Sequence, residues 1–156
     1  MWKAVDCCEL RLRKNIKPTF MADTGYSGTP LLKKLGIKPG MKILLMNAPE
    51  NYPALLEADI SGQYLAAGEI PDLIHLFARN NAVFLNKMQA VLKYCKKNTS
   101  TIVWVSWYKK TSGIVSDLSE NMIRDFALQH GLVDVKVCAV SDVWSGLKLV
   151  VPVSKR

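Results

Sequence analysis

The segment Met41–Leu56, MKILLMNAPENYPALL, contains the three parts of one strand–loop–helix unit. Residues 41–46 form a continuous apolar run, which is typical of a strand buried on both faces, as in a parallel sheet. The loop of residues 47–53 follows, and its Pro53 is well suited to begin a helix that runs through Leu56. Nucleotide-binding α/β proteins hold their cofactor with glycines in such a loop, and this loop has none. The segment therefore predicts a cofactor-type fold with an altered cofactor loop.

Predicted strands and helices alternate along the rest of the chain. On the N-terminal side, Thr29 and Pro30 are suited to begin a helix that Gly36 ends. The further predicted elements are a weak strand at 63–67, a strand at 73–77, a helix at 79–97, a strand at 101–107, a helix from an Asp117/Glu120 capping box to about residue 129, and strands at 133–140 and 147–153. The last two strands are close enough to form a hairpin across residues 141–146.

This alternation predicts the fold class. We expect an α/β, Rossmann-like three-layer domain whose mostly parallel sheet ends in an antiparallel hairpin. The single domain is placed at residues 24–153. Residues 1–20 contain two adjacent cysteines and scattered basic residues without a helical or strand period. We interpret them as a non-native or disordered extension before a natural start at Met21; a short amphipathic arm is the alternative.

Composition excludes several classes of protein. The chain has 156 residues, 49% of them hydrophobic, which indicates a globular domain with a sizeable core. No apolar run approaches the ~20 residues of a membrane span, and no signal peptide is recognisable. The four cysteines match neither a metal site nor a redox motif, so we expect free thiols in the cytoplasm. The net charge of +8 favours anionic ligands, although specific nucleic-acid binding is not expected because no motif supports it.

Two resemblances follow from particular stretches. LGIKPGMKIL at 35–44 resembles the lead-in to the first strand of the methyltransferase variety of the Rossmann fold, whose sheet also ends in an antiparallel hairpin. The chain as a whole resembles a family of small bacterial proteins known as domain of unknown function 3052. The stretches that carry this second resemblance are GYSGTPL at 25–31, residues 35–41, NAP at 47–49, WVSW at 104–107 with Lys109 and Lys110, GLVDVKVC at 131–138 and WSGLKLV at 144–150. They span nearly everything after Met21 and imply no catalytic residues, because the family has no assigned activity.

The methyltransferase-like arrangement implies S-adenosylmethionine as a cofactor to be considered. In the usual site, glycines let the backbone approach the ligand, and an acidic residue at the end of the second strand binds the ribose. Here Ala48 and Pro49 stand at the glycine positions, and Pro49 also removes an N–H donor. The only acid near the end of the weak second strand is Glu69. A remodelled cofactor loop is the favoured interpretation, and cofactor binding remains the alternative.

A ligand site is expected beyond the carboxyl ends of the strands, as in other open α/β sheets. The side chains predicted there are an acid, amides, an aromatic ring and three cations. They are Asn47, Glu50, Asn51, Arg79, Asn80, Trp107, Lys109 and Lys110. Such a set could hold a planar anionic ligand; a solvated basic rim is the alternative. Gly28 and Thr29, at the start of the first helix, form a weaker predicted anion site.

No side chains form a convincing catalytic pair, so the catalytic residues are unknown. His75 lies inside an apolar strand, where a packed histidine with both nitrogens hydrogen-bonded is expected more often than a catalytic one. We therefore favour a non-enzymatic protein that binds a small anionic ligand or a protein partner at the strand ends. An S-adenosylmethionine-dependent methyltransferase with a glycine-free loop is the alternative, because methyl transfer needs little beyond positioning.

Overall fold

The computed structural model describes residues 30–156. Its strands are β1 (Ile43–Met46), β2 (Leu73–Phe77), β3 (Ile102–Tyr108), β4 (Val133–Ala139) and β5 (Trp144–Val150). Its α-helices are α1 (Leu31–Leu35), α2 (Tyr52–Leu56), α3 (Asn81–Lys97) and α4 (Glu120–Gln129), and short 3-10 turns lie at Ser61–Gln63, Lys110–Ser112 and Val153–Lys155. The predictions for residues 1–20, for the start of the domain at residue 24 and for Gly28 and Thr29 fall outside the described residues.

The five strands form one mixed sheet in the order β1-β2-β3-β5-β4. β1, β2 and β3 pair in parallel, whereas β5 is antiparallel to both β3 and β4. The predicted final hairpin is present, but its second strand lies inside the sheet and β4 forms the edge. Strands β1 to β4 run in the same direction, so the expectation of a mostly parallel sheet is correct for strand direction. Only two of the four pairings are parallel, however, so the expectation overstates the number of parallel pairings.

Alternating positions of the strands enter two separate apolar clusters, since successive side chains point to opposite faces. Leu73 and Phe77 of β2 and Trp104 of β3 pack with apolar residues of α1 and α2. Ile74 and Leu76 of β2 pack instead with α3 and α4. Every residue of β2 is buried, which explains why its sequence shows no polar alternation. Within the part of the chain that is described, no helix is both long and apolar enough to cross a bilayer.

The weak strand predicted at residues 63–67 is wrong. The segment is a 3-10 turn at Ser61–Gln63 followed by one isolated parallel bridge between Ile43 and Tyr64. A single main-chain bond from Leu65 to Ile43 holds it beside β1, and the chain then turns away at Ala66 and Glu69. Within residues 30–156, the sheet therefore has no full strand on the outer side of β1.

The final hairpin and the start of helix α4 also differ from prediction. β5 begins at Trp144, so the turn is only four residues long and closes through bonds from Val140 and Ser141 to the Trp144 carbonyl. Helix α4 begins at Glu120 with Ser119 as its N-cap, not at an Asp117 capping box. The Asp117 carboxylate instead accepts a hydrogen bond from the backbone N–H of Asn81, in the first turn of α3. These corrections matter below because Ser119 and Ser145 line the candidate site.

Candidate functional site

The carboxyl ends of β1, β2 and β3 meet at one edge of the sheet, which we call the carboxyl edge. A cleft of about 500 Å³ opens there at the end of β3. Its walls come from the end of β3 and the turn after it, from the start of α4 and from one residue of β5. The lining residues are Trp107, Tyr108, Lys109, Lys110, Thr111, Leu118, Ser119, Glu120, Asn121 and Ser145. The cleft thus brings together Trp107, Lys109 and Lys110 of the predicted set.

The main chain fixes Lys109 between the sheet and the final hairpin. Its N–H donates to the Val143 carbonyl at 2.8 Å, and its carbonyl accepts from the Ser112 hydroxyl at 2.6 Å. Ser112 also accepts from the N–H of Ile114, which closes the turn after the lysine pair. The backbone that carries Lys109 is therefore held on both sides, and this limits the conformational entropy that a ligand would have to remove.

The electrostatics of this cleft favour an anion. Lys109 and Lys110 supply two positive charges, and the N-terminus of α4 presents N–H groups and the positive end of its dipole. Glu120 also lies at this cleft, but its carboxylate is paired with Arg124 one turn later. Arg124 in addition binds Asp134 of β4 at 3.1 Å. Arg124 is shared by Glu120 and Asp134 and so offsets the charge of Glu120 only in part, but the two lysines still leave the cleft with a net positive charge.

The other five predicted site residues do not line this cleft. The Asn80 side chain caps α3 by accepting from the N–H of Val83 at 2.9 Å, and the Arg79 carbonyl accepts from the Ser116 hydroxyl. Asn47, Glu50 and Asn51 are exposed around the loop after β1. Asn47 adopts a left-handed conformation with a φ of 58°, which turns the chain sharply at the end of β1. Arg79 and Asn80 thus connect α3 to the segment before α4, and the β1 loop forms a separate part of the edge.

Glu69 lies at the wrong end of β1 to bind a ribose at the carboxyl edge. Its carboxylate pairs with Lys42 at 3.3 Å and accepts from the N–H of Ala66 at 2.8 Å. Lys42 immediately precedes β1, so this ion pair marks the amino end of the strand. The local turn and the exposed ion pair give Glu69 a structural role, and the expected acid of a usual cofactor site is absent from that position.

His75 takes part in a buried chain of polar side chains that the sequence did not reveal. One ring nitrogen bonds the Tyr52 hydroxyl at 2.8 Å and the other bonds the Ser106 hydroxyl at 2.7 Å. The expectation that both nitrogens are hydrogen-bonded is therefore confirmed. His75 and Ser106 are fully buried and Tyr52 is nearly so, and the His75 ring also stacks on Phe77. These three hydrogen-bonded side chains link α2, β2 and β3 directly beneath the carboxyl edge.

Burial controls the protonation of the Tyr52 and His75 side chains and of the two thiols in the described residues. Desolvation lowers the pKa of His75 to about 3 and raises the pKa of Tyr52. Burial likewise raises the pKa of Cys95 to about 11 and raises that of Cys138, although Lys34, Lys136 and Lys109 oppose the second shift. At neutral pH the imidazole, the phenol and both thiols are uncharged, so none of them is a ready nucleophile or a cationic acid. No cluster of metal-ligating side chains occurs in residues 30–156.

Sequence reasoning missed Ser119, Asn121 and Ser145 as residues of the cleft. Ser119 carried a usable signal, since serine is a preferred N-cap and stands directly before the helical residues. Ser145 carried none, because it reaches the cleft only through the pairing of β5 with β3, opposite Trp107.

Comparison with known proteins adds little to this geometry. No family model and no curated protein matches the sequence. Among solved structures, LepI in complex with SAM is 12% identical with a TM-score of 0.43, and the alignment covers 78% of this chain and 39% of that one. A protein of the NADB-Rossmann superfamily from Streptococcus agalactiae is 8% identical with a TM-score of 0.39, covering 78% of this chain and 68% of that one. This chain thus spans well under half of LepI, and likenesses this distant assign neither a family nor an activity.

Proposed function

We propose that this chain is a Rossmann-like, three-layer binding protein that holds a small anionic ligand in the cleft at the end of β3. The observation that carries the proposal is the convergence of Lys109, Lys110 and the start of α4 on one cleft of about 500 Å³. That volume is in the range of ordinary small-molecule sites. The ligand would place its anionic group between the lysines and the helix N-terminus, and a planar part against Trp107 and Tyr108.

The proposal does not include a catalytic step. Among the described residues that line it, the cleft has no histidine, cysteine or unpaired carboxylate, since Glu120 is bound to Arg124. The buried chain of Tyr52, His75 and Ser106 is closed to solvent and holds a neutral imidazole. Binding without chemical conversion is what these side chains support best.

Removing the two lysine charges is expected to weaken anion binding by about tenfold or more, because each lysine can donate a charge-assisted hydrogen bond. The probes are inorganic phosphate, ATP and NAD in a thermal-shift titration of the purified chain. A probe at about 100 times its Kd adds about 2.7 kcal/mol, which is a rise in Tm of about 5–10 °C. The double variant Lys109→Gln/Lys110→Gln should lose about half of that rise or more.

The matched control is Lys93→Gln/Lys97→Gln, which removes two exposed charges from α3, away from the cleft. It has the same net charge as the test variant and should bind the probe as the wild type does. An equal loss in both double variants would show that overall charge, and not this cleft, attracts the anion. If no probe shifts the Tm of the wild type, the small-anion proposal is wrong, and a protein partner at the carboxyl edge should be sought by pull-down.

The alternative function is an S-adenosylmethionine-dependent methyltransferase that uses the β1 loop. One observation favours it: the chain leaves β1 for a bridge at Tyr64 on one side and then pairs β2 on the other side. The carboxyl end of β1 is thus a point where connections diverge, which is where Rossmann-like sheets bind ligands. The position of Glu69 at the opposite end of β1 weighs against it.

The double variant Glu50→Ala/Asn51→Ala tests this alternative directly. If the β1 loop holds the cofactor, S-adenosylhomocysteine raises the Tm of the wild type, and the variant loses about tenfold or more in affinity. The variant Lys109→Gln/Lys110→Gln serves as the control for the other part of the edge. A shift that survives the β1-loop substitutions would remove the methyltransferase alternative, as would the absence of any shift in the wild type.

A further inference from the structure

A second cleft, of about 540 Å³, lies at the other end of the strands, opposite the carboxyl edge. It opens between the C-terminal ends of α3 and α4, beside the residues that follow β5. Its lining residues are Leu92, Cys95, Lys96, Thr99, Gln129, His130, Gly131, Leu132, Val151 and Lys155. None of them belongs to the first cleft or to the β1 loop, so this is a separate site.

The floor of the second cleft is apolar. Cys95, Leu132 and Val151 are buried residues of the core, and Leu92 packs against the same core from α3. Cys95 is an uncharged thiol here, since burial raises its pKa to about 11. A floor of this kind gains from contact with an apolar ligand, because the contact removes carbon and sulfur surface from water.

The rim is polar and carries positive charge. Lys96 and Lys155 line it. The Lys155 nitrogen lies next to Gly131, 3.7 Å from the position that a Cβ atom would occupy there. No acidic residue lines the second cleft, and neither lysine forms an ion pair with a carboxylate in residues 30–156. The two charges are therefore available to an anionic group.

Some carbonyl groups at the ends of the two helices already have hydrogen-bond partners. Helix C-termini carry a partial negative charge through carbonyl groups that lack partners. Here the Phe126 carbonyl accepts from the backbone N–H and the ring Nδ1 of His130, and the Ala127 carbonyl accepts from His130 and Leu132. At the end of α3, the Tyr94 carbonyl accepts from Asn98. Because these carbonyls have partners, the lysines are not needed to neutralise them.

We propose that the second cleft binds an aliphatic monocarboxylate of the fatty-acid class. Its alkyl chain would lie on Leu92, Cys95, Leu132 and Val151, and its carboxylate would bind Lys96 and Lys155. The apolar floor and the two lysines, which form no ion pair within residues 30–156, together favour this class. A purely polar anion would leave the floor exposed to water, and a neutral lipid would form no ion pair with the two ammonium groups.

Decanoate is the first probe, and two ligands with the same chain length and a different head group are its controls. Binding is measured by NMR or calorimetric titration of the full chain. Decanoate should saturate a single site, while decanol and decyltrimethylammonium should bind at least about tenfold more weakly, because decanol has no negative charge to pair with the two lysines and decyltrimethylammonium is repelled by them. Equal binding of all three ligands, or a failure of decanoate to saturate, would overturn the proposal.

The double variant Lys96→Gln/Lys155→Gln locates the carboxylate. Both lysines are exposed, so the variant should fold, and its affinity for decanoate should fall by about tenfold. The control Lys93→Gln/Lys97→Gln carries the same net charge, with its substitutions outside the lining residues, and should keep the wild-type affinity.

Decanoate should also slow the alkylation of Cys95, followed by mass spectrometry, and leave that of Cys138 unchanged. Equal loss in both double variants, or unprotected Cys95, would contradict binding at this cleft.

Discussion

Replacing Trp104 with alanine is expected to lower the free energy of unfolding by about 3–5 kcal/mol. Trp104 lies in β3, the middle strand of the sheet, and is fully buried among the side chains of β1, β2, α1 and α2. Its indole N–H donates to the carbonyl of Leu35 at 3.0 Å and so ties the sheet to the end of α1. Alanine would remove the ring and the hydrogen bond together and leave a cavity between the two.

Urea unfolding followed by far-UV circular dichroism measures this loss. The variant Trp104→Phe separates the two causes, because phenylalanine fills most of the space and leaves the buried Leu35 carbonyl without this donor. We expect it to cost about 1–3 kcal/mol, the penalty of an unsatisfied buried acceptor with some lost packing. A loss below about 2 kcal/mol for Trp104→Ala would show that Trp104 does not join the two parts as described.

Acidification from pH 7 to pH 4.5 should cost the folded state about 2–3 kcal/mol through His75 alone. Burial holds the pKa of His75 at about 3 in the folded state, against the ordinary value of 6.5 for a solvent-exposed histidine. The contribution is fully present above pH 6.5, where His75 is neutral in both states. It is lost as the pH falls below 6.5, since the unfolded chain then takes up a proton that the folded chain refuses. At pH 4.5 the folded imidazole is still neutral, so the loss is still growing there.

The free energy of unfolding is measured in urea at pH 7.0 and pH 4.5 for the wild type and for His75→Gln. The glutamine variant starts from a lower stability, but its loss between the two pH values should be about 2–3 kcal/mol smaller, because the titrating group is gone. The exposed carboxylates of Asp59 and Glu69, whose pKa values are lowered by hydrogen bonds, add an acid sensitivity common to both proteins. His130→Gln, which removes the chain's other histidine, should retain the wild-type difference. An unchanged pH dependence in His75→Gln would mean that His75 is not neutral and enclosed.

The elements that sequence patterns predicted well are those whose signals are local. β2 was predicted with its observed bounds, because five consecutive buried residues leave no polar alternation to confuse the assignment. Helix α3 was also predicted, since the apolar residues Phe84, Met88, Val91 and Cys95 repeat at helical spacing, and all four are buried on one face. Lys109 and Lys110 were placed at the site because they directly follow a strand whose β-branched and aromatic residues identify it.

The errors concern residues whose partners are distant in sequence. Asp117 has the form of an N-cap, but its carboxylate is used by Asn81, 36 residues away, and Ser119 caps α4 instead. Glu69 was the only acid near the end of the predicted second strand and a poor match to a ribose-binding residue, and its pairing with Lys42 places it at the amino end of β1. A capping motif or an acidic side chain names what a residue can bind, while the packing of the chain selects which partner comes within reach.

Apart from the strand wrongly predicted at residues 63–67, the sequence by itself determined the order of strands and helices along residues 30–156, the buried strands and the basic character of the end of β3, because these depend on burial period, turn residues and charge. Only the tertiary structure decided that β5 lies between β3 and β4, which brings Ser145 beside Trp107, and that Tyr52, His75 and Ser106 form one buried chain. It alone also decided that the ends of α3 and α4 enclose a second cleft. These features arise from strand register and helix packing, which join residues far apart in the chain and leave no periodic mark in the sequence.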